Sequence, residues 1–191
     1  MRIFLGILLI TVLGFTSCEG RISKTQALEK DIKEFQDSVS IQVDVYKPKN
    51  YLEREVDTTL SNGFRVKIKT YTDMDNNVLF TKIKDTINYQ KYYRNFKFEI
   101  LVEKSGKVIF KEQYDKQIIN KLFRYDTVTK SNIEDYDFDK FGVLESINLV
   151  DNIPQPNIIE IDILYTIPET ERVSLHKLFI DENGLYEFKR I

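Results

Sequence analysis

The chain has 191 residues, with 30 acidic side chains, 28 basic side chains and a formal net charge of −2. This balance excludes a general nucleic-acid binder, which carries a basic surplus. One cysteine and one histidine exclude an internal disulfide framework and a multi-histidine metal site within one chain. The length suits a single domain, and an aromatic content of 13% without tryptophan suits a strand-rich one.

The N-terminus carries an apolar segment over residues 3–15, preceded by Arg2. The segment is shorter than the roughly 20 residues that a membrane-spanning helix requires. It is typical of the hydrophobic core of a secretory signal, with Arg2 as the positive start. Thr16, Ser17 and Cys18 follow it directly.

Phe15-Thr16-Ser17-Cys18 resembles the lipobox of bacterial lipoproteins, and a bulky apolar residue at its first position is similar to Bacteroidetes-type members. The resemblance covers residues 1–18. It implies that residues 1–17 are a removed signal peptide, that Cys18 is lipidated, and that the protein is anchored in the cell outer membrane, facing the periplasm or the exterior. Two or more acyl chains anchor a protein stably. An uncleaved anchor helix and ordinary secretion with a free thiol are the alternatives.

A helix is predicted next. Ser23-Lys24-Thr25-Gln26 has the form of a capping box. The apolar residues that follow at helical spacing are Leu28, Ile32, Phe35 and Val39. The helix is either a spacer from the membrane or packed on the sheet, and its single apolar stripe favours packing. We therefore expect residues 18–38 to form the tether and the helix, and residues 39–191 to form a single β-rich domain.

The rest of the chain is dominated by segments in which apolar and polar residues alternate, as in half-buried strands. These segments are 39–46, 64–69, 96–103, 108–110, 159–167, 173–180 and 185–188. Residues 116–123 fit a short helix as well as a buried strand. A second capping box, Ser131-Asn132-Ile133-Glu134, predicts a helix over residues 135–141.

Short connections without regular strand–helix alternation favour antiparallel pairing. We therefore predict an α+β or mostly β fold, with the N-terminal helix packed on an antiparallel sheet that curls into a sandwich or open barrel. Each alternating segment is expected to bury one face. The predicted core residues are Ile41, Val43, Val66, Ile68, Phe98, Ile100, Ile161 and Ile163.

Two acidic clusters offer oxygen ligands at alternate positions, as the start of a calcium loop does. One contains Asp135, Asp137 and Asp139, and the other is the segment Asp73-Met74-Asp75-Asn76-Asn77. Both lack the turn glycine at the sixth position and the closing glutamate at the twelfth. We predict that no metal and no cofactor is required; a solvated helix and a polar turn are the plainer interpretations.

Three further features are candidates for binding or catalysis. Arg65, Lys67 and Lys69 share one strand face, which could meet lipid phosphates or an acidic partner or be simply solvated. Tyr89, Tyr92 and Tyr93 could stack on a sugar or pack within the protein. The single histidine, His176, lies in an alternating segment without a glycine-flanked serine nearby, which favours a strand-face histidine over a catalytic one.

No catalytic motif is present in the sequence, and a binding role needs none. The pattern favours a membrane-tethered binding or assembly module for a protein, glycan or lipid partner, with no nucleic acid, and makes an enzyme the less favoured interpretation. Two alternatives stay open. One is a carrier of an apolar ligand in a β cavity; the other is an envelope hydrolase that uses His176 or two close carboxylates.

Overall fold

The computed structural model of the protein describes residues 23–38, 41–125, 133–151 and 156–191. Cys18 and the signal segment lie outside these residues. The chain divides into two compact units, residues 1–42 with 83–88 and residues 43–82 with 89–191. Within the described ranges, no helix combines the length and the apolar character that crossing a membrane requires.

The N-terminal helix, α1, spans Lys24–Ser38 and begins with the predicted capping box. The Gln26 backbone N–H donates to Ser23 Oγ at 3.1 Å, and the Ser23 N–H donates to Gln26 Oε1 at 3.1 Å. Leu28, Ile32 and Phe35 are 60%, 47% and 52% exposed. The predicted packing of this helix on the sheet is therefore not confirmed.

The first sheet has five strands: β1 (Ile41–Lys47), β2 (Glu53–Thr59), β3 (Phe64–Lys84), β4 (Ile87–Lys104) and β5 (Lys107–Tyr114). Its order is β1-β4-β3-β2, and β5 also pairs with β4. The β2–β3 and β4–β5 pairs are antiparallel. Strands β3 and β4 are far longer than the segments predicted for them, which covered residues 64–69 and 96–103.

The second sheet has four strands in sequential order: β6 (Val143–Leu149), β7 (Ile158–Thr166), β8 (Val173–Asp181) and β9 (Tyr186–Arg190). All three pairs are antiparallel. Buried residues alternate with half-buried ones along β7, and along β8 after the exposed Val173, as their sequence pattern predicts.

Two short helices lie between the sheets in the sequence: α2 (Lys116–Leu122) and α3 (Ile133–Phe141). The segment that fitted either a helix or a strand is thus helical. Asp115 caps α2, because its carboxylate accepts a 2.8 Å hydrogen bond from the Ile118 N–H. The predicted helix over residues 135–141 is confirmed, while residues 131 and 132 lie outside the described residues.

Both sheets and the two short helices contribute to one hydrophobic core, in which Ile119 of α2 and Phe138 of α3 are buried. The predicted core residues that are buried are Val66, Ile68, Phe98, Ile100, Ile161 and Ile163. Val43 is half-buried, and the prediction for Ile41 is wrong because its side chain is 53% exposed on a strand at the end of the sheet order. The mostly β prediction is confirmed, and the described strands form two sheets rather than a closed barrel.

Candidate functional site

The basic stripe of β3 is a ladder of ion pairs with the neighbouring strand β2. Arg65 Nη2 lies 2.8 Å from Asp57 Oδ2, Lys67 Nζ lies 2.9 Å from Glu55 Oε1, and Lys69 Nζ lies 3.0 Å from Glu53 Oε1. Each pair joins residues that are diagonal neighbours in the antiparallel register. The acidic partners balance the stripe, so this face carries no excess of positive charge to attract an anionic surface.

The three tyrosines of β4 have different surroundings rather than forming a shared stacking platform. The Tyr92 ring stacks on Tyr46 with 4.7 Å between centroids. The Tyr93 hydroxyl donates to the Glu169 carboxylate, and Tyr89 is half-buried. Burial and the Glu169 contact raise the pKa of Tyr93 to about 12. Two of these aromatic side chains are therefore engaged within the protein.

His176 is fully buried in β8. Its Nε2 lies 3.2 Å from Ser174 Oγ and 3.3 Å from the Tyr125 hydroxyl, and those two oxygens are 2.9 Å apart. Its ring packs on Phe123 with 3.8 Å between centroids. Burial, with a smaller effect of the Arg190 charge, lowers the pKa of His176 to about 4. The imidazole is thus neutral at neutral pH.

This buried trio has the residue types of a nucleophilic site without the access that a substrate needs. Ser174 is 4% exposed and His176 is 0% exposed. His176 Nδ1 has no hydrogen-bond partner among the described residues, so no described carboxylate orients the ring as in a serine hydrolase. The geometry favours the strand-face interpretation of His176.

The described carboxylates of the first acidic cluster, Asp137 and Asp139, contact other parts of the protein. Asp137 pairs with Arg172, Asp139 accepts a 2.8 Å hydrogen bond from Asn120 Nδ2, and the Asp135 side chain lies outside the described residues. The segment 73–77 lies within β3, so its interpretation as a polar turn is wrong. Among described side chains, no three or more of the His, Cys, Asp and Glu type are placed to hold a metal ion.

The fold instead brings Asp139 of one cluster and Asp73, Asn76 and Asn77 of the other to a common polar cleft of about 370 Å³. Strands β3 and β4 form one part of its wall, and the start of α2 and the end of α3 form another. Its lining residues are Asp73, Asn76, Asn77, Asn95, Lys97, Asp115, Lys116, Gln117, Asn120 and Asp139. None of these described lining residues is aromatic.

Asp73 is the buried acid of the cleft, with 5% of its surface exposed. Its carboxylate accepts hydrogen bonds from Asn76 Nδ2 at 2.8 Å and from the Asp75 N–H at 3.1 Å, and it lies 3.3 Å from Lys97 Nζ. Burial alone raises its pKa, but these donors together hold the pKa below its ordinary value. Asp73 is therefore a charged, fully engaged carboxylate.

Asn95 is the unsatisfied group of the cleft. Its side chain is 7% exposed, and its Oδ1 atom has no hydrogen-bond partner among the described residues. Buried polar atoms are nearly always hydrogen-bonded, because an unpaired acceptor costs about 1–3 kcal/mol. The protein encloses Asn95 Oδ1, so its missing hydrogen bond is a cost to the fold and not a contact offered to the cleft.

The opposite wall is formed by α2 and α3. Lys116 Nζ donates to the Lys140 carbonyl at 2.8 Å, and Asn120 Nδ2 contacts both the carbonyl and the carboxylate of Asp139. Burial lowers the pKa of Lys116 to about 8, against an opposing effect of Asp139. The wall therefore combines an ammonium group of lowered pKa with carboxylate and amide groups.

Sequence reasoning singled out four lining residues, Asp73, Asn76, Asn77 and Asp139, but only as parts of separate metal loops. It missed Asn95, Lys97, Asp115, Lys116, Gln117 and Asn120. These belong to β4 and to α2 with its N-cap, and the mutual placement of these two elements depends on the whole fold. Only the cap residue Asp115 had a usable local signal, since Asp before an apolar helical segment favours an N-cap.

Described by fold and site, the protein is a two-sheet, β-rich protein with a polar cleft beside its helices. The chain matches no known protein-family model, and a comparison with curated proteins finds no match.

Proposed function

We propose that the protein is a membrane-tethered binding or assembly module of the cell envelope, which holds its ligand in the polar cleft. The tether is a lipid on Cys18, as the lipobox-like segment 15–18 implies, and the mature chain faces the periplasm or the exterior. The observation that supports binding is the cleft itself, about 370 Å³ in volume and lined by polar and charged side chains from two strands and two helices. The packing of helix α1 on the sheet, which its apolar stripe predicts, remains part of this proposal.

Binding is favoured over hydrolysis by the state of the candidate catalytic groups. His176 and Ser174 are buried away from the cleft lining. Asp73 lies in the cleft, but its pKa is below the ordinary value, whereas the general acid of a glycoside hydrolase needs a raised one. Hydrogen bonds and Lys97 also occupy its oxygens, which leaves Asp73 suited to holding neighbours in place.

Binding in the cleft is also favoured over carriage of an apolar ligand between the sheets. The side chains in that region are large and fully buried, including Phe64, Phe98 and Ile161. Such side chains form the close-packed interior of an ordinary domain. The cleft lies apart from these residues and has a polar lining.

The tether is tested by fatty-acid labelling of the full chain in a lipoprotein-processing bacterium. We expect wild type to carry label and to partition into membranes, and Cys18→Ala to lose both, because no second cysteine can accept the lipid. Persistent label or unchanged membrane partition in Cys18→Ala contradicts the tether.

The binding role is tested with the soluble chain that starts after Cys18, after a thermal melt has shown that it folds. Calorimetry against neutral, anionic and cationic small molecules should detect a ligand whose binding is weakened by Gln117→Ala, a change at an exposed residue of the cleft lining. Asn157→Ala is the matched control, because Asn157 is exposed and does not line the cleft. Turnover of any probe, lost in His176→Ala or Asp73→Asn, would support the hydrolase instead.

A further inference from the structure

We infer that a groove between the edges of the two sheets binds an extended peptide segment of a partner protein, which adds as a strand beside β6. The groove has a volume of about 330 Å³ and is lined by β2, β3 and β4 on one side and by β6 on the other. It shares no lining residue with the polar cleft, so this inference goes beyond the proposed function. It depends on the backbone of β6, on the uncovered face of β2 and on one unpaired charge.

Strand β6 lies at the edge of its sheet. It pairs with β7 on one side, and no described strand pairs with its other side. A bulge between Leu144 and Ser146 leaves residues 146–149 as the regular part of this edge, and none of these is proline. An edge strand presents backbone N–H and C=O groups that are a template for a further strand. An extended peptide can use this row of groups, and a compact ligand cannot.

The inner face of β2 is uncovered. Val56 is directly opposite Ile68 in the β2–β3 register, so both side chains lie on the core side of the first sheet. Ile68 is 4% exposed, whereas Val56 is 48% exposed and Leu52, just before the strand, is 44% exposed. The second sheet therefore covers β3 but ends before it reaches β2. A strand added beside β6 would extend the second sheet by about 4.8 Å, the distance between neighbouring strands, and would cover these side chains.

The charge on the inner face of β2 indicates what the peptide carries. On the outer face, Glu53, Glu55 and Asp57 all form ion pairs with β3. Arg54 shares the inner face with Val56 and lines the groove, but it forms no ion pair within the described ranges. Glu145, the other charged lining residue, lies in the bulge outside the regular edge. The peptide therefore presents apolar side chains to β2, with a carboxylate among them that pairs with Arg54.

A single segment suits the groove better than a second copy of this chain. Antiparallel pairing of two β6 strands about a two-fold axis would place both first sheets on the same side of the joined sheet. Each β2 strand extends past β6 on that side, so the two β2 strands would occupy the same space. A lone extended segment brings no sheet of its own to this position.

The experiment is a fluorescence-anisotropy titration of the full chain, kept in solution by the same concentration of mild detergent throughout. The first probe is a labelled ten-residue peptide in which valine alternates with threonine and one central valine is replaced by aspartate. A second has lysine in place of the aspartate. Two further probes are the aspartate peptide with one or the other alternate set of backbone amides methylated, because an added strand donates to β6 from only one set.

We expect the aspartate peptide to bind with a dissociation constant on the order of 10–500 μM, and one methylated form to lose that binding while the other keeps it. Val56→Gln should weaken binding about fivefold, because it removes an apolar contact. Arg54→Glu should reverse the preference between the aspartate and lysine peptides. Val108→Gln, the matched control, changes an exposed valine of β5 outside the groove and should leave binding unchanged.

Four results overturn the inference. One is the absence of binding of any probe up to about 2 mM peptide, which lies above the expected range. Equal binding of both methylated forms would exclude strand pairing, and binding that neither Val56→Gln nor Arg54→Glu alters would place the peptide elsewhere. A dimer in solution that Val56→Gln dissociates would make a second copy the occupant. None of these results bears on the polar cleft, whose ligand is tested separately with Gln117→Ala.

Discussion

At the scale of single residues, burial has different consequences for two polar side chains, His176 and Asn95. His176 is satisfied on one ring nitrogen by Ser174 and Tyr125, and its charged form is suppressed. The Asn95 carboxamide does not titrate, so its unpaired oxygen lowers the free energy of unfolding at every pH. His176 therefore affects the stability of the fold in acid, and Asn95 affects its stability at any pH.

We predict that His176 makes the fold sensitive to acid. Its pKa falls from an ordinary 6.5 to about 4 on folding, so the unfolded chain binds more protons between these values. The contribution of the neutral His176 to the free energy of unfolding is complete above pH 6.5 and is lost as the pH falls towards 4. Urea unfolding at pH 7.5 and pH 5 should show about 2 kcal/mol less stability at pH 5 from this group.

The comparison variant for this prediction is His176→Gln, which keeps a polar side chain but does not titrate. Its free energy of unfolding should be lower at pH 7.5 and should change less between the two pH values. The comparison stops at pH 5 because carboxylates with lowered pKa values, such as Asp73, change the free energy of unfolding at more acidic pH. Parallel pH profiles for wild type and variant would contradict the prediction.

We also predict that Asn95→Leu does not destabilise the fold. The substitution replaces an unsatisfied buried acceptor with an apolar side chain of the same heavy-atom branching, a change that is neutral or stabilising when no partner is left unpaired and the neighbours accommodate the larger methyl groups. The free energy of unfolding should stay the same or rise by about 1 kcal/mol. A loss of more than about 1 kcal/mol, measured by urea unfolding, would contradict the prediction and would show that the Asn95 carboxamide stabilises the fold.

At the scale of elements, the strands that could be predicted are those whose alternation is set by burial. Strand β7 alternates because one face lies in the core, and the same pattern is visible in its sequence. Strand β2 (EREVDTT) has a single large apolar residue, Val56, and was not predicted. It is an edge strand held by backbone pairing with β3 and by the ion pairs of its acidic residues. Neither interaction requires alternating apolar residues, so the sequence of β2 carries no strand signal.

Two glycines in hairpin turns give an element-scale prediction. Gly106 (φ +77°) joins β4 to β5, and Gly184 (φ +81°) lies between β8 and β9. A Cβ at Gly106 would meet no atom within 4 Å, but a Cβ at Gly184 would lie 2.1 Å from the backbone oxygen of Ile109 in β5. The β8–β9 turn therefore approaches the backbone of the other sheet closely.

We predict that Gly106→Ala costs about 1 kcal/mol, the strain of a left-handed alanine, and that Gly184→Ala costs at least about 2 kcal/mol more. The difference measures the contact between the turn and β5, because the backbone strain is common to both variants. Equilibrium unfolding of the two variants side by side checks it. Equal costs would show that β5 moves away without loss of stability.

At the scale of the whole molecule, the fold class follows from sequence patterns while the candidate site does not. Alternation and turn signals reflect local burial, and each can be recognised within about ten residues. Asp73 and Asp139 line the same cleft, and so do Asn95 and Asn120. Such pairs are separated along the chain by other elements, and only the packing of α2 and α3 beside β3 and β4 brings them together. Local patterns contain no information on that juxtaposition.

The fold also gives the residues of each acidic cluster separate partners, and this decides how the protein should respond to calcium. Residues that look like consecutive loop ligands are paired separately in the fold: Asp137 with Arg172, Asp139 with Asn120, and Asp73 with Lys97. Binding calcium would require breaking these contacts without gaining the closing glutamate. We therefore predict that thermal melts of the full chain in millimolar calcium and in chelator coincide. A ligand that binds only the folded state raises the melting temperature, so a shift of several degrees that Asp137→Asn abolishes would contradict the prediction and establish a calcium site at this cluster.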